Sequence, residues 1–212
     1  MPSQNRSGEA EKRCEQIGFA KNRLEALTDG IFAVAMTLIV VGMFPEALQT
    51  ASAGSAAAIV ARAVPDVYHY VVAFLILAGF WIGHHMQTRY LRAIDRPFLQ
   101  INIFILMSVA LVPFTSSIAG DFPYDPLAAV LFEGNVLVVG LLLVLAGRYI
   151  RTHPCLLSDR SDPEALTVGW MRGLVIPGLS AVGILLALAG VPWTTTIYIA
   201  APILLRIIGT RD

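Results

Sequence analysis

Thr28 and Asp29 open an apolar run whose next dozen residues carry one further hydroxyl, Thr37. A second apolar run ends on His84-His85, a third holds Asn102 near its start, and a fourth contains Glu133-Gly134-Asn135. Each type suggests a chemistry. A carboxylate beside a hydroxyl can cap a helix and complement its dipole. A hydroxyl inside an apolar run can replace part of an ion's hydration shell. Imidazoles can hold a metal, a proton or a hydrogen bond, and an isolated Glu can relay protons.

The segments that carry these residues are membrane spans. The chain has 212 residues, 56% hydrophobic and 14% charged, with a mean hydropathy of +0.69. A soluble domain carries about 25% charged residues, so a soluble enzyme is disfavoured. A net charge of zero argues against a nucleic-acid partner. Two cysteines, Cys14 and Cys155, supply neither a disulfide framework nor a four-ligand zinc site. About 20 apolar residues in a helix cross the hydrocarbon core. Six stretches qualify: 27–44, 67–84, 98–116, 127–146, 167–189 and 192–208. Continuous apolar runs without period-two alternation favour helices over barrel strands. The expected fold is therefore all-α and polytopic, one six-helix unit over 1–212 with an N-terminal segment 1–22, embedded in the lipid bilayer of the cell membrane. Fourteen of the fifteen basic residues fall on one side of such a layout and only Arg62 on the other. The positive-inside rule then puts both termini in the cytoplasm.

On a helical wheel, Gly30, Val34, Thr37, Leu38 and Val41 share one face of the first span, while Phe32, Met36, Ile39 and Met43 share the opposite one. The first face is small, with one hydroxyl; the second is bulky. Small faces suit close helix packing inside a subunit or the wall of a passage. Arg23 lies eleven residues before Val34, close to the same face. A ring of cations at the mouth of a cation passage would repel the permeant ion.

Arg23, Leu27, Thr28, Asp29 and then Thr37-Leu38-Ile39 resemble the opening signature of the transmembrane protein 175 family of potassium channels, Arg-x-x-x-Phe-Ser-Asp followed by a Thr-Leu-Leu-like triplet. Leu27 and Thr28 replace the usual Phe and Ser and keep a hydroxyl beside Asp29. Tyr70 to Phe74, Trp81, His84-His85, Asn102 and Pro113-Phe114 follow in the family's order. The resemblance implies a homotetramer of six-helix subunits with the first helix lining a central pore. It assigns Val34 to a hydrophobic constriction, Leu38 and Val41 to the continuing wall, and Thr37 to a modest potassium preference. A narrow apolar ring gates by dewetting. The resemblance also implies that Arg23 turns away from the pore into a polar network with Thr28, Asp29, His84, His85 and Asn102.

Three readings stay open for the histidines: a hydrogen-bond network, a pH sensor or a metal site. Adjacent histidines diverge by about 100° on a helix and chelate poorly together, so no metal is assigned. Glu133 lies about 10 Å into its helix and reads as a satisfied partner of Asn135, a water-reached position or a proton relay. Thr167-Val168-Gly169-Trp170 is a truncated echo of a carbonyl filter and lacks a pore-helix context. Gly79-x-x-x-Gly83 and Gly169-x-x-x-Gly173 are weak close-packing signals. No catalytic constellation and no cofactor motif is present. The sequence therefore leads to a potassium-permeable channel of self-assembled subunits, K+ being its permeant ion, without a TVGYG-type filter. The alternative is a proton-coupled secondary transporter using Glu133 and His84-His85.

Overall fold

The computed structural model describes residues 21–49, 56–158 and 169–209, and these are helical apart from short connections. The helices are α1 (Lys21–Gln49), α2 (Ala56–Thr88), α3 (Arg96–Asp121), α4 (Pro126–Thr152) and α5 (Gly169–Leu188). A shorter apolar segment, α6 (Thr194–Ile208), follows. Among the described residues, five helices are long and apolar enough to cross a membrane. The chain is a multi-pass membrane protein.

Local sequence explains most helix ends. Asp95 caps α3 by accepting a hydrogen bond from the Phe98 amide at 3.0 Å, with a proline in the first turn. Asp125 caps α4 in the same way through Leu127 at 2.8 Å, and Pro126 supplies the preset φ. In α5 the chain turns at Leu174, three residues before Pro177, whose missing N–H and ring disfavour a regular helix there. Asp29 and Thr28 do not cap α1, because the helix already runs from Lys21, where an ion pair to Glu25 one turn on spans 3.5 Å. The Ala-rich stretch from Ala56 supplies the first turns of α2.

The sixth expected span differs most from its sequence reading. It starts at Trp193 in a left-handed conformation, φ 59°, and residues Thr194–Ala200 form a 3-10 helix before α-helix resumes over Ala201–Gly209. Only 15 residues qualify as apolar helix there. A 3-10 helix rises about 2.0 Å per residue, against about 1.5 Å for an α-helix. Stretching therefore brings the segment to roughly 27 Å, close to the hydrocarbon thickness of about 30 Å.

α1 packs on α2 and α3, α3 on α4, and α4 on α5, while α6 contacts α5 and α2. The core lies along these seams and includes Phe32, Leu77, Phe98, Ile105, Val109, Phe132 and Val136. At one end of the bundle the α2–α3 connection is strapped to the segment after α4. Leu91 and Leu157 form an antiparallel bridge, Arg92 N donates to Leu156 O at 2.9 Å, and Ser158 N donates to Tyr90 O at 2.8 Å. The Arg92 side chain adds a bond from Nε to Cys155 O at 2.9 Å. Tyr149 donates to Asp95 at 2.6 Å, fastening α4 to the cap of α3.

Candidate functional site

α1 presents two unlike faces, as the wheel requires. Phe32 and Ile39 are 1% and 4% exposed, and with Leu24, Thr28 and Ala35 they bury the bulky side of the helix in the subunit. The small side is left open: Val34 is 56% exposed, Leu38 47% and Val41 63%, with Ala26, Gly30, Ala33 and Thr37 exposed beside them. The small face therefore does not pack within its own subunit. Other exposed faces carry bulkier groups, such as Phe104, Met107, Leu111 and Phe114 on α3 or Leu185 and Leu188 on α5. Such large apolar side chains suit lipid. The open face of α1 is narrower and carries a hydroxyl.

That hydroxyl has a defined orientation. Thr37 Oγ1 donates to the Val34 carbonyl one turn back at 2.8 Å. Its only proton is thereby committed to the backbone, so the outward side of the oxygen offers lone pairs.

The polar residues expected as one network separate into two groups. Asp29 accepts a hydrogen bond from Trp81 Nε1 at 2.8 Å, and Trp81 stacks on His85 with ring centroids 6.0 Å apart. This strip is exposed. The second group is buried: His84 Nε2 lies 2.6 Å from Asn102 Oδ1, and Asn102 Nδ2 donates to Phe98 O at 2.8 Å. Thr28, 1% exposed, has no hydrogen-bond partner for its hydroxyl. Arg23 is exposed and forms no hydrogen bond or ion pair with a described residue, so it does not join either group. Neighbouring His84 and His85 point to different sides, which prevents joint chelation. No metal-holding cluster of His, Cys, Asp and Glu occurs among the described residues.

Glu133 and Asn135 do not form a pair, because two residues along a helix turn the side chain by about 200°. Asn135 faces α3, with its amide 3.3 Å from Thr115 Oγ1. Glu133 is fully buried on the opposite side and accepts a hydrogen bond from Tyr198 of α6. Tyr198 in turn lies 2.8 Å from Ser180 Oγ of α5. Gly183 makes the space for the carboxylate: a Cβ there would sit 2.6 Å from Glu133 Cδ. Sequence reasoning passed over Tyr198, Ser180 and Gly183, since their proximity depends on how α4, α5 and α6 meet. Of the glycine motifs it did notice, Gly79, Gly83 and Gly169 are idle inside the subunit, for a Cβ there would meet nothing within 4 Å, while one at Gly173 would make ordinary contact with Val144 Cγ2 at 3.8 Å. The close approaches instead use Gly140, Gly147 and Gly183. Arg6, Lys12, Arg13, Cys14, Arg160, Thr167, Val168 and Arg211 lie outside the described residues.

An apolar helical bundle with one small, hydroxyl-bearing face left open fits an integral membrane protein of the transport class. Comparison with known proteins narrows the class. A sequence model described as the endosomal/lysosomal potassium channel TMEM175 matches residues 23–113. A protein of Chamaesiphon minutus named as a potassium channel is 26% identical over 189 residues, spanning 84% of this chain and 92% of that one. A zebrafish protein named as the endosomal/lysosomal proton channel TMEM175 is 26% identical over 141 residues, 66% of this chain but only 27% of its own length. The fold is similar to a crystal structure titled as a lysosomal potassium-selective channel TMEM175 homolog from Chamaesiphon minutus. That likeness has a TM-score of 0.67 at 22% identity and covers 90% of this chain and 97% of the other. Over residues 23–113 the chain is similar to the TMEM175 family.

Proposed function

We propose that this protein is a potassium-permeable channel in which four copies surround a central pore lined by α1, with both termini in the cytoplasm. The observation that carries the reading is the open face of α1, where Val34, Thr37, Leu38 and Val41 stay exposed while the opposite face is buried. In the proposed assembly Val34 forms the apolar constriction, Leu38 and Val41 continue the narrow wall, and Thr37 contributes lone pairs to a partly dehydrated ion. Asp29, held by Trp81, sits one turn and a residue before Val34 and helps fix the orientation of α1. The name of the Chamaesiphon minutus match, a potassium channel, supports the choice of ion.

Liposome reconstitution tests this proposal. Vesicles loaded with potassium should develop a membrane potential that follows the potassium gradient more closely than a sodium gradient. Flux that needs an imposed proton gradient and saturates at low turnover would overturn the channel reading in favour of proton-coupled transport. A potential that tracks protons in preference to potassium would overturn the assignment of the ion.

A further inference from the structure

Arginines collect at the end of the bundle where the α2–α3 connection is strapped to the segment after α4. Arg89, Arg92, Arg96, Arg148, Arg151 and Arg172 are all exposed there. The acidic side chains described at or near that end are already engaged. Asp95 accepts from the Phe98 amide and from Tyr149, Asp29 accepts from Trp81, and Glu25 pairs with Lys21. Among the described residues, none of these six arginines forms an ion pair. Arg92 donates to the Cys155 carbonyl, and Arg89 lies over the Tyr90 ring at 5.6 Å. A surplus of positive charge is left at one level of the protein, and half of it sits where α4 ends and α5 begins.

Gly173 of α5 lies level with Val144 of α4, since a Cβ on the glycine would sit 3.8 Å from Val144 Cγ2. At about 1.5 Å per residue, Arg172, Arg148 and Arg151 then fall within roughly 9 Å along the bundle axis. Arg151 lies over the ring of Trp170 at 5.6 Å, a cation–π contact that links α4 to α5. An indole at the end of a membrane span marks headgroup depth. Further along α4 the surface is apolar. Leu141, Leu145 and Arg148 recur at the i, i+4, i+7 spacing of one helix face, and the leucines are 50% and 47% exposed. An exposed apolar stripe that ends on a fixed positive charge matches a phospholipid, with an acyl chain along the leucines and the phosphate at the guanidinium.

We propose that this end of the α4–α5 seam binds the headgroup of an anionic phospholipid through Arg148, Arg151 and Arg172, with Trp170 fixing its depth. Guanidinium groups match phosphate oxygens in a bidentate fork, and basic positions between spans seat anionic headgroups. A soluble polyanion would use the charge but not the leucine stripe. α1 packs on α2 and α3, whereas α5 packs on α4. In the assembly proposed above, with α1 at the centre, this edge is therefore outermost and against lipid. That placement rests on the proposed assembly, but lipid retention and ion flux are measured separately, so either can fail alone.

Native mass spectrometry of the purified full-length protein tests the proposal, with detergent micelles doped equally with phosphatidylglycerol and phosphatidylcholine. Wild type should retain phosphatidylglycerol in preference to phosphatidylcholine. Each arginine should contribute about fivefold to that preference, so Arg148→Gln/Arg172→Gln lowers it roughly 25-fold and leaves the Arg151–Trp170 contact in place. A control, Arg89→Gln/Arg96→Gln, removes equal charge at the same end and should keep the preference. Excess inorganic phosphate should not displace the lipid, because it lacks the chains that lie on Leu141 and Leu145. Should the first double variant fail to fold, Arg148→Gln alone should lower the preference about fivefold. Equal preference in wild type and the Arg148 variants, an equal loss in both double variants, or displacement by free phosphate would overturn the proposal.

Discussion

Gly140 on α4 offers a measurable check of how closely the helices pack. A Cβ built there would lie 2.5 Å from Cγ and 2.9 Å from Cδ of Pro177 on α5. Carbon atoms pack best at about 3.5–4.0 Å, so Gly140→Ala is short of space by roughly 1 Å. The proline ring cannot rotate aside, and the seam is otherwise filled by Val136, Val139, Leu143 and Leu179, all buried. The helices must part, and overpacking of this kind costs about 1–3 kcal/mol. Against it stands the better helix propensity of alanine, about 0.8–1.0 kcal/mol. The balance is a destabilisation of about 0–2 kcal/mol, or a midpoint lowered by up to about 8 °C. Intrinsic tryptophan fluorescence on heating in a fixed detergent reads it directly. Gly79→Ala is the control, since its Cβ meets nothing within 4 Å, and it should hold or raise the midpoint. Adding Pro177→Ala to Gly140→Ala removes the obstructing ring, so a double-mutant cycle should show favourable coupling between the two changes. A Gly140→Ala protein that gains as much stability as the Gly79→Ala control, or a cycle with no coupling, would refute the packing argument.

Two further predictions concern the open face of α1. Val34→Asn places an amide at the proposed constriction, so single-channel current in planar bilayers should rise severalfold through wetting; an unchanged current would remove Val34 from the gate. Thr37→Ala deletes the outward lone pairs, so the reversal potential under potassium–sodium gradients should move toward equal permeability, while unaltered preference would place selectivity elsewhere.

The sequence announced α1 to α5 because their apolar runs are long and because Asp95, Pro97, Asp125 and Pro126 mark helix starts in ways that local chemistry dictates. The two faces of α1 were legible for the same reason: a helix fixes the angle between residues whatever surrounds it. What escaped were features set by neighbours. Thr28-Asp29 looks like a cap until Lys21–Glu25 extends the helix beyond it. The Glu133-Asn135 spacing looks like a pair in one dimension and separates on the helix surface. Tyr198 was unremarkable inside an apolar run, and its meeting with Glu133 requires the 3-10 start of α6, which hydropathy does not encode. Arg23 was drawn into a network by resemblance, yet the described polar partners on α2 and α3 bond to Asp29 and to one another instead.

The strap at the Leu91–Leu157 bridge has a mechanical consequence. It ties the turn between α2 and α3 to the chain leaving α4, while Tyr149 bolts α4 to the base of α3. At that end, α2, α3 and α4 share load as one truss, and displacing one drags the others. α1 is not part of it: its described polar link to the truss is the single bond from Trp81 to Asp29. α1 is instead seated on that truss by its buried apolar face, Phe32 and Ile39 included, so the apolar seam bears the helix while the indole-carboxylate bond marks its rotational setting.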